Sequence, residues 1–263
     1  MDLAPTDYAQ VDYLMRTRGW VKFDNVLDAA QVAALGADSE AIYEKRRVVQ
    51  IANGVAANME GAAHHVLGEG TSLDRFIDDL PLYDVIERHF GGKTILLNFG
   101  AALHPPGSKA YTQKPHRDIR AFSPGYKLSL NMLVMLDDFT LENGATRFLE
   151  GSHQVEAMPS AETFAQQAVS LTGKAGDIVL FDSLVVHSAA PNGGSALRRA
   201  LTLCFGRPFM KPQMDWPRFL SPQAKARLSP TGLQLLGYHA RVADSVEAYY
   251  QPPENWVFKA DQV

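Results

Sequence analysis

The stretch Leu128-Ser129-Leu130-Asn131-Met132-Leu133-Val134-Met135-Leu136 constrains the fold most, because its apolar residues fall on both faces of an extended chain. A strand that is apolar on both sides has to be covered on both sides. One polar amide interrupts the run. Buried amides find partners, so Asn131 either satisfies a backbone group or lines a pocket.

From Thr94 onward, short strand-like runs alternate with turn signals. Residues 95–99, 178–181 and 200–205 read as strands, and Pro105-Pro106-Gly107-Ser108, Glu142-Asn143-Gly144, Gly151-Ser152-His153 and Gly173 to Asp177 read as turns. The first ninety residues are mainly helical by spacing. Tyr8, Val11, Leu14 and Met15 mark one helix, followed by a short strand at Gly19-Trp20-Val21-Lys22-Phe23. Asp28 opens a capping-box-like helix start carrying Val32, Leu35 and Ile42. Pro81 stands in the first turn of another helix, which ends at Gly91-Gly92. Ser160 caps a helix over residues 161–168, Ser221-Pro222 starts a further one, and Ser229-Pro230-Thr231-Gly232 reads as a break. The pattern predicts a mainly β fold with flanking helices: a double-stranded β-helix, the cupin-like jelly roll, with its core at about residues 94–207 and helical support from both termini.

With 263 residues, 46% of them hydrophobic, the chain reads as a single domain spanning residues 1–263. A net charge of −4 provides no basic footprint, so nucleic acid is not an expected partner. Cys204 is the sole cysteine and reads as a small buried hydrophobe. No basic, apolar leader opens the chain and no stretch has the length of a membrane span. The expectation is a cytoplasmic protein that acts on a small molecule, with no membrane association and no protein partner evident.

The chemistry concentrates in Lys114-Pro115-His116-Arg117-Asp118. On an extended strand His116 and Asp118 share one face and Arg117 takes the other. His187, at the end of an apolar run, supplies a third ligand if the fold brings its strand alongside. Two imidazoles and one carboxylate with open positions suit non-haem Fe(II). Arg198 and Arg199 head the last apolar run, and alternation sends only one of them into a metal pocket, where a guanidinium can grip a carboxylate-bearing co-substrate. Asp182 either orients an imidazole or caps its strand, and His153 reads as a turn residue rather than a fourth ligand. His64-His65 sits in a Gly/Ala/Asn-rich stretch without periodicity, as loop residues or as a substrate contact. Lys109, Tyr111, Thr112 and Gln113 lie on the approach to His116. Gly91-Gly92-Lys93-Thr94 lacks the first glycine of a phosphate loop.

His116-Arg117-Asp118, Leu136-Asp137-Asp138-Phe139, Glu142 to Arg147 and Gly151-Ser152-His153 resemble the phytanoyl-CoA dioxygenase family of Fe(II)- and 2-oxoglutarate-dependent oxygenases. Gly19-Trp20-Val21, Val26-Leu27-Asp28 and the segment from His187 to Arg198 extend the resemblance over most of the chain. Glu150 departs from it, standing where the family usually has proline. The resemblance implies His116, Asp118 and His187 as iron ligands and Arg198, favoured over Arg199 by its spacing from His187, on the distal carboxylate of 2-oxoglutarate. From their own positions, in the central apolar run and on the approach to His116, Asn131 and Thr112 are expected as further co-substrate contacts. The resemblance also implies O2 as oxidant and oxidation of a C–H bond, by default hydroxylation, with release of succinate and CO2. Natural-product intermediates are among the substrates that such enzymes take. Asp118 itself argues against halogenation, since halogenating relatives have a small residue there. A cupin-like metalloenzyme independent of 2-oxoglutarate would leave Arg198 dispensable, and a non-catalytic binding protein would show no turnover.

Overall fold

The computed structural model describes residues 6–108 and 110–262, so Lys109 lies outside the described residues. The chain begins with α1 (Tyr8–Thr17), capped by the Asp7 carboxylate on the Gln10 N–H, and β1 (Trp20–Phe23). The Asp28–Gln31 capping box forms as expected, but α2 (Ala29–Ala52) runs well beyond Ile42. Residues 50–72 are not simply loop. They include β2 (Ala62–His64), and a second capping box between Thr71 and Asp74 starts α3 (Ser72–Asp78). Helix α4 (Tyr83–Phe90) starts after Pro81, with Leu82 as its N-cap, and closes on Gly91 at φ +67°. That left-handed conformation favours glycine.

The β region comprises β3 (Ile95–His104), β4 (Ser129–Met135), β5 (Arg147–Phe148), β6 (Val169–Ser170), β7 (Ile178–Asp182), β8 (His187–Ser188) and β9 (Arg198–Gly206). Ser160 caps α5 (Ala161–Gln167) between β5 and β6. After β9 come α6 (Trp216–Phe219), α7 (Pro222–Lys225) and α8 (Pro230–Leu235). Ser229-Pro230, expected as a break, instead begins α8: Ser229 Oγ accepts the Gly232 N–H and proline occupies the first turn, where its missing N–H costs nothing.

A six-stranded sheet in the order β1-β7-β4-β9-β3-β2 faces a three-stranded sheet in the order β6-β5-β8, all pairs antiparallel. The two sheets do not close on each other. This is the expected mainly β, cupin-like arrangement with helical flanks. Its large sheet recruits β1 and β2 from the N-terminal region, outside residues 94–207.

Every residue of β4 is buried, as its sequence requires. Leu130, Met132 and Val134 turn outward with Phe99, Leu201 and Leu203 and pack on the helices through Leu35, Ile42, Phe76 and Ile86. Trp216 and Leu235 from the C-terminal helices join the same layer. Leu133 and Met135 turn inward with Val179, Phe181 and Ala200, against Phe148 of the small sheet. The Glu142-Asn143-Gly144 turn requires glycine: Gly144 has φ +84° and a Cβ there would lie 2.4 Å from Ala190 O. Among the described residues, no helix is long and apolar enough to cross a membrane.

Candidate active site

His116 lies outside the regular strands and is tied to β8 by a two-way bridge. The His116 N–H donates to His187 O and the His187 N–H donates to His116 O, both at 3.0 Å. Directly opposed residues of an antiparallel pair share a face, so the two imidazoles lie together with ring centroids 4.4 Å apart. The Asp118 N–H continues the contact to Ser183 O at 3.2 Å. His116, Asp118 and His187 thereby offer ligand atoms that all lie within 4.8 Å of one another. The separations are 3.4 Å from His116 Nε2 to Asp118 Oδ1 and 3.6 Å from His187 Nε2 to Asp118 Oδ2. Donors about 2.1 Å from one ion and at right angles to each other would stand roughly 3 Å apart, so this set fits an ion of transition-metal size.

Second contacts orient the three candidate ligands. His116 Nδ1 is 2.8 Å from Lys114 O and His187 Nδ1 is 3.0 Å from Val185 O. A carbonyl only accepts, so each Nδ1 carries the proton and each Nε2 lone pair turns to the shared centre. The Asn131 amide on β4 donates to Asp118 Oδ2 at 2.6 Å. Burial alone would raise the Asp118 carboxyl, but the two imidazoles and this amide outweigh it and hold the group below its ordinary range. Burial opposes charge on both histidines. The carboxylate nevertheless keeps His116 above its usual value, whereas the more enclosed His187 falls below.

Arg117 points away from the centre, as alternation predicts. Its guanidinium donates to the carbonyls of Leu184 at 2.9 Å, Glu156 at 2.8 Å and Ser152 at 3.0 Å, pinning the 152–156 loop to the His187 segment. Asp182 accepts the Leu184 N–H at 2.8 Å and thus caps its turn rather than orienting an imidazole. His153 Nε2 faces Arg16 O at 3.2 Å, away from the ligand cluster.

The two arginines separate across β9. Arg199 turns outward, pairing with Asp137 at 2.6 Å and Glu40 at 2.8 Å. Arg198 turns inward, 2% exposed, with its guanidinium 4.2 Å from the centre of the Phe139 ring. Its Nε and Nη1 are buried without a hydrogen-bond partner, and burial, only partly opposed by Asp137, pulls its pKa down to about 10. A buried guanidinium with idle donors awaits an anion. Thr112 Oγ1 is also buried and unpartnered, and Thr112 O accepts the Ala189 N–H at 2.9 Å, two residues past His187.

Residues 15–200 match the family model described as Phytanoyl-CoA dioxygenase (PhyH). The chain belongs to the phytanoyl-CoA dioxygenase family. As a member, this protein is an oxygenase. It is 28% identical to protein Rv1501 of Mycobacterium tuberculosis over 98% of this chain and 96% of that one. It is 26% identical to the dioxygenase FUM3 of Gibberella moniliformis over 85% of this chain and 80% of the relative. Its fold is like that of the epimerase SnoN from nogalamycin biosynthesis, solved with Fe3+, alpha ketoglutarate and a nogalamycin: TM-score 0.55, 21% identity, 77% of this chain and 84% of that one.

Two features of the candidate site escaped the sequence reading: the partner of Asn131, a residue expected to satisfy a backbone group or to line the pocket as a co-substrate contact, and the buried His104. Asn131 had no identifiable partner before the fold placed Asp118 beside it. Replacing it with leucine should weaken ferrous-ion binding by roughly 10- to 100-fold, measured by competition with a chelator, because the ligand carboxylate loses its orienting donor. The second is His104, opposite Arg198 in the β3–β9 register and 5% exposed. The β3 alternation of Phe99, Ala101 and Leu103 against Asn98, Gly100, Ala102 and His104 was available as a signal. Burial, then the Arg198 charge, pushes His104 down to about 3. The unfolded chain protonates this residue near pH 6.5 and the folded one does not, so stability is lost as pH falls below 6.5. At pH 4.5 the loss through this residue alone is about 2–3 kcal/mol, and His104→Gln should remove it from the urea unfolding curves of the apoprotein.

Proposed function

We propose that this oxygenase is an Fe(II)- and 2-oxoglutarate-dependent dioxygenase that hydroxylates an unactivated C–H bond of a small molecule. In this reading His116 Nε2, His187 Nε2 and the Asp118 carboxylate hold the ferrous ion, and Arg198 pairs with the distal carboxylate of 2-oxoglutarate. Thr112 offers its hydroxyl to the same co-substrate. The observation that supports it most is the buried Arg198 guanidinium with two idle donors, on the inward face of the strand core that also holds Asn131 and its partner Asp118. Bound iron would couple reduction of O2 and decarboxylation of 2-oxoglutarate, to succinate and CO2, to insertion of one oxygen atom into the C–H bond. The chain's own part is placement and dryness. Phe139 fixes the guanidinium plane from below, and the rings of Phe181 and Phe148, centred 4.9 and 5.9 Å from that of His187, keep water from one side of the centre. The likeness to SnoN, solved with alpha ketoglutarate and a nogalamycin, supports a natural-product scale of substrate. A 2-oxoglutarate-independent enzyme would have no use for so costly a buried cation.

The test is anaerobic addition of Fe(II) and 2-oxoglutarate, which should give the visible charge-transfer band of the chelated co-substrate. No band in the native protein, or an undiminished band in Asp118→Ala, would refute the assignment.

A further inference from the structure

The inward residues of β3 and β9 trace a second recognition surface. Both strands lie inside the large sheet, and their outward side chains Phe99, Ala101, Leu201 and Leu203 are buried. Inward, Asn98, Ala102, Thr202 and Cys204 are only half-buried. In central strands such exposure opens onto the space between the sheets. A bulge between Leu96 and Asn98 re-aims the Asn98 side chain, which stands opposite Cys204, itself opposite Asn131. Beside them sits His64 on β2, over Gly100: a Cβ at Gly100 would lie 3.3 Å from His64 Nδ1 and 3.2 Å from Thr202 Oγ1, so the glycine makes room for the imidazole.

His64 is held from behind. The next residue, His65, adopts φ +58° and ends β2, its carbonyl gripped by the Arg46 guanidinium at 2.8 Å and its ring edge-on to Trp216 at 5.6 Å. A left-handed, non-glycine residue is a strained conformation that surrounding contacts must impose. Tyr111 OH lies 3.4 Å from His64 Nε2, and Tyr111 belongs to the short turn that leads to His116, in which Thr112 O accepts the Ala189 N–H two residues past His187. His64 Nδ1 and Asn98 Oδ1 are both buried without a hydrogen-bond partner. Orphaned polar atoms of this kind call for a ligand.

We propose that His64, Asn98 and Tyr111 form the recognition wall for the primary substrate, and that the wall selects a neutral molecule bearing a hydroxyl or carbonyl group over a carboxylate, phosphate or coenzyme A thioester. This rests on the oxygenase reading above. An imidazole, an amide and a phenol supply hydrogen bonds at two orphaned atoms and one hydroxyl but no countercharge, and burial keeps the imidazole neutral.

The test uses the full-length Fe(II)·2-oxoglutarate enzyme without oxygen, whose charge-transfer band shifts when a substrate displaces metal-bound water. The probes are neutral methyl glucoside, myo-inositol, naringenin and progesterone, against the anions glucose 6-phosphate, shikimate and palmitoyl-CoA. At least one neutral probe should shift the band and no anion should. His64→Leu and Asn98→Leu should each weaken that response about tenfold, as expected for one lost hydrogen bond, while His64→Gln retains it. The unshifted band should form in all three variants. A response to anions, a neutral response indifferent to both leucine variants, or no neutral response at all overturns the proposal. Failure of the band itself in the native enzyme removes the oxygenase reading instead.

Discussion

Replacement of Arg198 by methionine is expected to weaken 2-oxoglutarate binding at least about 100-fold while making the apoprotein more stable by about 1–3 kcal/mol. The two effects have one cause. The guanidinium is buried with Nε and Nη1 unpartnered, and the Phe139 ring beneath it and the Asp137 charge offset only part of the lost hydration. A cation–π contact of this kind is worth at most about 2 kcal/mol, less than the effective penalty of burying an unpaired cation. Methionine fills similar volume without charge. Against a carboxylate the same guanidinium makes charge-assisted bonds, and their loss accounts for two decades or more of affinity. Arg199→Met should do the reverse. It breaks ion pairs to Asp137 and Glu40, strands a partly buried Asp137 and lowers stability by about 1 kcal/mol, with 2-oxoglutarate binding unchanged. Urea unfolding and anaerobic titration of the two variants check both halves; matching behaviour in the pair would show that the inward arginine has been misassigned.

Asp118→Ala should lower ferrous-ion affinity by at least about 1,000-fold and erase the stabilisation that the metal confers, which for a ligand at 100 times its Kd is about 2.7 kcal/mol. The carboxylate sits 3.4 and 3.6 Å from the two imidazole nitrogens and is the single anion of the set. Its removal also changes the pH dependence. A metal and a proton compete for His116 Nε2, so affinity falls as pH drops through the imidazole value. Asp118 holds that value above normal, and without the carboxylate the onset of proton competition should move to lower pH. Thermal unfolding with and without Fe(II) reads out the first effect, and an NMR titration of His116 in the two apoproteins between about pH 5 and 8 reads out the second. An alanine variant that still gains stability from Fe(II) would mean the ion sits elsewhere.

Much of the site was legible because it is local. The two-residue spacing of His116 and Asp118 sets them on one face whatever the surroundings, and the adjacency of Arg198 and Arg199 means that only one of them turns inward. Asp28 with Gln31 and Ser160 with Thr163 place helix starts by hydrogen bonds that span three residues. Where local signals competed, reading failed. Ser229-Pro230 suits both a break and a first turn, and packing on the sheet selects the turn. Residues 62–64 are too short and too small to show a strand period, and they become β2 only by pairing with β3.

The amino-acid order alone therefore determined the candidate ligand types, their facing and the two-sided burial of β4, since these follow from backbone alternation and side-chain polarity. Tertiary pairing decided the rest. It brought His187 against His116, gave Asn131 the Asp118 carboxylate as its partner and enclosed Arg198 over Phe139. Those are contacts between segments far apart along the chain, and their geometry is set by strand register and a bulge, which no single segment encodes by itself.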